Sequence, residues 1–98
     1  MDDRSESINR SVAKIRAALP ESVKIVRVGP INGGWDDGVT IACGESKSTI
    51  PVWMEGKGET RNLERWIASM THSVTAREKE RLADNLASDN SFVWLYQR

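Results

Sequence analysis

The sequence predicts one small α+β domain of order α-β-β-β-α-α-β, with a mostly antiparallel sheet and the helices packed on one face. Three observations carry that expectation. A chain of 98 residues suits a single domain, so residues 1–98 are expected to form one compact unit. Apolar residues at helical spacing and residues in strand-like alternation occupy separate stretches. A turn of hairpin length, "GESK" at Gly44–Lys47, joins two of the strand-like runs and makes them antiparallel neighbours. Neither internal repeats nor a low-complexity linker divides the chain.

Residues 4–19 read as an amphipathic helix, because Ile8, Val12, Ile15 and Leu19 recur on one face. Asp3 and Glu6 suit its start, Lys14 and Arg16 suit its end, and Pro20 stops it. "SVKIVRV" (Ser22–Val28) is β-branched and apolar on both sides, which predicts a well-covered strand. "GPINGGWDDG" (Gly29–Gly38) then reads as a ten-residue glycine-rich loop. "VTIAC" (Val39–Cys43) and "STIPVWM" (Ser48–Met54) alternate as strands, with Pro51 marking an edge or a bulge.

After the loop "EGKGE" (Glu55–Glu59), a helix is expected from about Thr60, with Leu63, Trp66, Ile67 and Met70 as its core stripe. "THS" (Thr71–Ser73) reads as a break, and Thr75 with Glu78 as the capping box of a further helix to about Ala87. "SFVWLYQR" (Ser91–Arg98) reads as a closing strand, with Phe92, Trp94 and Tyr96 on one side. Such a strand could pair with its twin across a two-fold axis, so a homodimer is one expected assembly.

Composition narrows the function classes. Lys+Arg and Asp+Glu both number 14, spread evenly along the chain, so there is no basic stripe and no acidic tail. That balance argues against strong non-specific nucleic-acid binding, which rests on phosphate neutralisation. One cysteine, Cys43, excludes an internal disulfide. With no export signal and no run of about 20 apolar residues, a cytoplasmic protein without a membrane segment is expected. A single His and a single Cys cannot make the usual zinc set, so neither metal nor cofactor is expected. "GKGET" departs from the phosphate-binding loop because Gly58, not Ser or Thr, follows Lys57.

Four tryptophans against one tyrosine and one phenylalanine point to a Trp-built core or an adhesive surface. The sequence leaves Trp35 open between two arrangements: folded back under its loop, or standing out as an anchor. Asp36 and Asp37 suit turn chemistry, since Asp-Gly closes turns readily.

Residues 8–70 resemble the double-stranded-RNA-binding domain in "VRVGPIN" and "MEGKGET", which fall near that family's Gly-Pro loop and its glycine-rich turn before the last helix. The resemblance implies helix, three antiparallel strands and helix, and a nucleic-acid role carried by Lys47, Lys57, Arg61 and Arg65. The chain departs from the family where its second helix opens "TRNLERW" instead of a lysine cluster, and where the loop after Gly-Pro lacks a histidine.

The expected function is therefore a small non-enzymatic interaction module. Its size and character suit a regulator or inhibitor of bacterial or phage coding that binds another protein or complex. Partner contacts are expected at Trp35, Asp36, Asp37, Trp53, Lys57 and Trp94. Nucleic-acid binding is the alternative. A third reading is a minor enzyme or enzyme subunit using His72 and Asp36, although no catalytic set is marked.

Overall fold

Helix α1 (Asp3–Ala18) forms where the apolar spacing places it, and its Ile15 is fully buried. The Leu19 N–H still reaches the Ile15 carbonyl at 3.0 Å, and Pro20 then turns the chain. The computed structural model describes the backbone of residues 3–96 and the side chains of residues 3–86.

Four antiparallel strands follow in the order β1 (Lys24–Ile31), β2 (Asp36–Cys43), β3 (Ser46–Met54) and β4 (Gly58–Glu59). The pairing Cys43↔Ser46 leaves Gly44 and Glu45 as a two-residue turn, with Gly44 at φ 60°. The register shifts beside Pro51, where Val52 is the extra residue of a bulge in β3, one of the places in a sheet that tolerates a missing N–H.

The supposed ten-residue loop is much shorter. Gly29 and Pro30 lie in β1 and pair with Gly38 and Asp37, and Ile31 pairs with Asp36, so only Asn32–Trp35 link the strands. The link is tight because Asn32, Gly33 and Gly34 all take positive φ, at 52°, 71° and 97°, a run that Asn-Gly-Gly tolerates and β-branched residues do not.

One cluster joins both helices to one sheet face: Ile15 of α1, Val39 and Ile41 of β2, Ile50 and Val52 of β3, and Leu63, Ile67 and Val74 of the final helix. Strand β1 is an outer strand, and Val26 (52% exposed) and Val28 (45%) are uncovered, against the expectation of a well-covered strand. Its apolar pattern records β propensity more than burial. Among the described residues the opposite sheet face carries no helix.

The C-terminal half differs most from the sequence reading. A single helix α2 (Leu63–Tyr96, 34 residues) replaces the two helices and the closing strand. Thr71–Ser73 does not break it. The Thr75 hydroxyl donates to the carbonyls of Thr71 (2.9 Å) and His72 (3.1 Å), so Thr75 is a mid-helix residue and caps nothing. The helix begins at Leu63, after Asn62 at φ 56°, and not at Thr60. Trp66, expected in the core, is 38% exposed, because the buried stripe runs through Leu63, Ile67 and Val74. The backbone is helical where a strand was expected at Ser91–Tyr96, while the side chains of Phe92, Trp94 and Tyr96 lie outside the described residues.

Glu78 rivets α2 to the β2–β3 turn. Its carboxylate accepts the Glu45 N–H (3.2 Å), the Ser46 hydroxyl (3.3 Å) and two guanidinium bonds from Arg81 (2.6 and 3.0 Å). Only glycine fits at residue 44, because a Cβ there would lie 1.6 Å from a Glu78 oxygen. Arg77 adds bonds to the Lys47 carbonyl and the Ser48 hydroxyl. The Arg81 guanidinium, helped by the Glu45 N–H, holds the Glu78 carboxyl down at about 2, against an ordinary 4.5. A depressed carboxylate stabilises the fold above its unfolded pKa, and that contribution fades as pH falls through the folded value. Glu78→Gln should therefore be less stable than the parent near neutrality, with the difference shrinking from about pH 4.5 and closing near pH 2. Urea midpoints across that range check it; a pH-independent difference would contradict the linkage.

Candidate functional site

The strands deliver a group of polar and aromatic residues to one end of the sheet. Asp36 and Asp37 open β2, and Asp37 pairs in register with Trp53 near the end of β3. Adjacent strand residues point to opposite faces, so the two carboxylates separate. Asp36 accepts the Asn32 side-chain amide (2.9 Å) and the Glu55 backbone N–H (3.0 Å). These two bonds close the β1–β2 link and tie it to the β3–β4 turn. The Asn32 bond first, and the Glu55 bond next, hold the Asp36 carboxyl below the usual carboxylate range.

Asp37 is buried at 8% exposure and accepts a bond from Arg4 of α1 at 2.7 Å. The Arg4 guanidinium also lies 5.9 Å from the centre of the Trp53 ring, a cation–π arrangement. Arg4 thus clamps α1 across both strands, and Asp37 and Trp53 are structural members of this end. Neither carboxylate has a free oxygen-rich partner set: among the described residues no three His, Cys, Asp or Glu gather as metal ligands.

Trp35 stands apart from this framework. It is the last residue of the link, directly before β2, and is 64% exposed. Its backbone is helical in conformation (φ −73°, ψ −33°), and its N–H points back to the Asn32 carbonyl at 3.5 Å. Beside the same end, Met54 (39% exposed) with Lys57, Glu59 and Arg61 lines a depression of about 440 Å³. Of the six expected partner contacts, Trp35, Asp36, Asp37, Trp53 and Lys57 meet at this end, and the side chain of Trp94 lies outside the described residues.

The four cations of the nucleic-acid reading do not gather. Lys57 and Arg61 share the depression, and Arg65 lines a different hollow with Asn62 and Trp66. Lys47 lies by the Gly44–Glu45 turn, toward the opposite end of β3, about 23 Å of strand from Met54. His72 is exposed on α2 and far in sequence from Asp36, which is occupied by Asn32 and Glu55. Sequence reasoning missed Asn32, Met54 and Arg4. The Asn-Gly-Gly run was the readable signal for the first; nothing local marks Arg4, whose partners are 33 and 49 residues away.

No protein-family model, curated protein or solved structure matches the chain. Among the described residues no helix is long and apolar enough to cross a membrane.

Proposed function

We propose that this protein is a non-enzymatic interaction module, a regulator or inhibitor that binds another protein through the end of the sheet that carries Trp35. One observation carries the reading: a tryptophan 64% exposed on a short link whose conformation is set before any partner arrives. Large exposed rings are costly to leave in water and dominate binding when buried. Asp36 holds the link from two sides, so little conformational freedom remains to be lost on association. Met54 supplies neighbouring apolar surface, and Lys57, Arg61 and Glu59 supply a mixed-charge rim. The test is affinity capture of the tagged protein from its native host, read by mass spectrometry, beside Trp35→Ala. A partner recovered with the parent and lost with the variant supports the reading; equal recovery defeats it.

A second reading, binding to a phosphate backbone, draws on the uncovered sheet face. Lys24, Ala42 and Lys47 form one row across β1–β3, and Arg27, Thr40 and Thr49 form a second, so three cations share that face over a floor of small side chains. This set is Lys24, Arg27 and Lys47 instead of the four cations drawn from the sequence. A mobility shift of RNA or DNA that fades with salt and with Lys24→Ala and Lys47→Ala would favour it. No shift at low salt would remove it.

A further inference from the structure

The geometry points to Asn32 as a deamidation site, held in check by its bond to Asp36, whose conversion to aspartate or isoaspartate opens the β1–β2 link. The inference rests on the link alone and does not need Trp35 to bind anything.

Asn32 is followed by glycine, and none of the chain's other asparagines is: Asn9, Asn62, Asn85 and Asn90 precede Arg10, Leu63, Leu86 and Ser91. The next residue matters because the reaction runs through its backbone. Its amide nitrogen loses a proton and attacks the side-chain Cγ. A C–N bond forms in a cyclic imide, the Cγ–Nδ2 bond breaks, and Nδ2 leaves as ammonia. Water then opens the ring at either carbonyl, giving aspartate or isoaspartate. The net change is amide plus water to acid plus ammonia, with nothing oxidised or reduced. A side chain on the following residue obstructs ring closure, and glycine has none.

The link leaves this place open to water. Asn32, Gly33 and Gly34 are all exposed. A Cβ built on Gly33 would meet only the edge of the Trp35 ring, at 3.9 Å.

Asp36 restrains the reaction. The Asn32 side-chain amide donates to the Asp36 carboxylate at 2.9 Å, which ties the side chain down, while the Asn32 backbone is fixed at φ 52°. Ring closure requires Cγ to swing onto the Gly33 nitrogen, so the bond to Asp36 must let go first. The Asp36 charge also opposes the amide anion that attacks.

Conversion then undoes the contact that restrained it. The product carboxylate has no proton to donate near neutrality and sets a second negative charge against Asp36. Asn32 is the leading cause that keeps the Asp36 carboxyl below its usual range, so Asp36 loses its main support. Its other bond, from the Glu55 N–H at 3.0 Å, is what ties the link to the β3–β4 turn. Isoaspartate further adds a carbon to the main chain of a link that spans only Asn32–Trp35.

The test ages the full chain at physiological temperature over a range of pH. Peptide mass spectrometry follows each asparagine, and hydrogen exchange follows the link and Glu55. Asn32 should convert before Asn9 and Asn62, faster as pH rises, and several times faster in Asp36→Ala. Circular dichroism checks the fold, and Asp36→Asn, which keeps the shape and loses the charge, should also convert faster than the parent. In the converted protein and in Asn32→Asp, the amides of residues 33–36 and of Glu55 should exchange faster than in the parent. Conversion of Asn32 no faster than that of Asn9 and Asn62 overturns the proposal. So does a rate unchanged in both Asp36 variants, or exchange at the link unchanged after conversion.

Discussion

Trp35→Ala should abolish partner capture while leaving the fold intact. A buried tryptophan hot spot contributes about 2–4 kcal/mol, so affinity should fall by roughly 30- to 1,000-fold. Stability should change by less than about 0.5 kcal/mol, because the ring is 64% exposed and belongs to no core cluster. Titration of the captured partner against parent and variant, with a urea midpoint for each, separates the two effects. Asp36→Asn sharpens the test. It leaves the ring in place and weakens the two bonds that hold the link, so affinity should fall by a smaller factor through a slower productive encounter and a looser complex. If Trp35→Ala lowers affinity only in step with stability, the anchor assignment fails.

Ile50→Ala should have the largest effect on stability. Ile50 has no exposed surface and sits on β3 at the centre of the cluster that joins both helices to the sheet. Truncating a buried isoleucine costs about 2–5 kcal/mol, through lost transfer energy and the cavity left behind. A domain of this size has about 5–15 kcal/mol in total, so the urea midpoint should move far toward zero. Val26→Ala is the control. It removes an equally β-branched residue from β1, but from a position 52% exposed, and should cost less than about 1 kcal/mol. Equal losses at the two positions would mean that the sheet is covered on the side of β1 as well.

In the first two-thirds of the fold, α1, the β2–β3 hairpin and the middles of the three long strands were legible because their signals are local, whereas the pairing of Gly29–Ile31 with Asp36–Gly38 and the short strand β4 were not. Ile8, Val12, Ile15 and Leu19 repeat at helical spacing, and α1 follows. Gly44 and Glu45 are turn residues between alternating runs, and a two-residue hairpin follows. Pro51 cannot donate to a ladder, and a bulge lies beside it in β3. The convergence of Trp35, Asp36, Asp37, Trp53 and Lys57 was only partly legible. The residues were picked for their chemistry, but the register that brings residues 37 and 53 side by side is a property of the sheet.

The C-terminal half shows where local reading stops. From Leu63 to Tyr96 there is neither glycine nor proline, and that absence permitted one long helix. Thr71, His72 and Ser73 are weak helix formers, and alone they read as a gap. Tertiary contacts close that gap. Val74 is buried in the core just beyond it, and Glu78 is held by Glu45, Ser46 and Arg81 one turn later.

The sequence by itself determined α1, the three long strands, their hairpin and the residue types available for a binding surface, because periodicity and turn chemistry act over a few residues. Only the tertiary structure decided that α2 is continuous, that β1 is uncovered, and that Asp37 and Trp53 serve the fold while Trp35 faces water. Each of those depends on which distant groups satisfy a buried charge or cover an apolar face, and such partners lie tens of residues away along the chain.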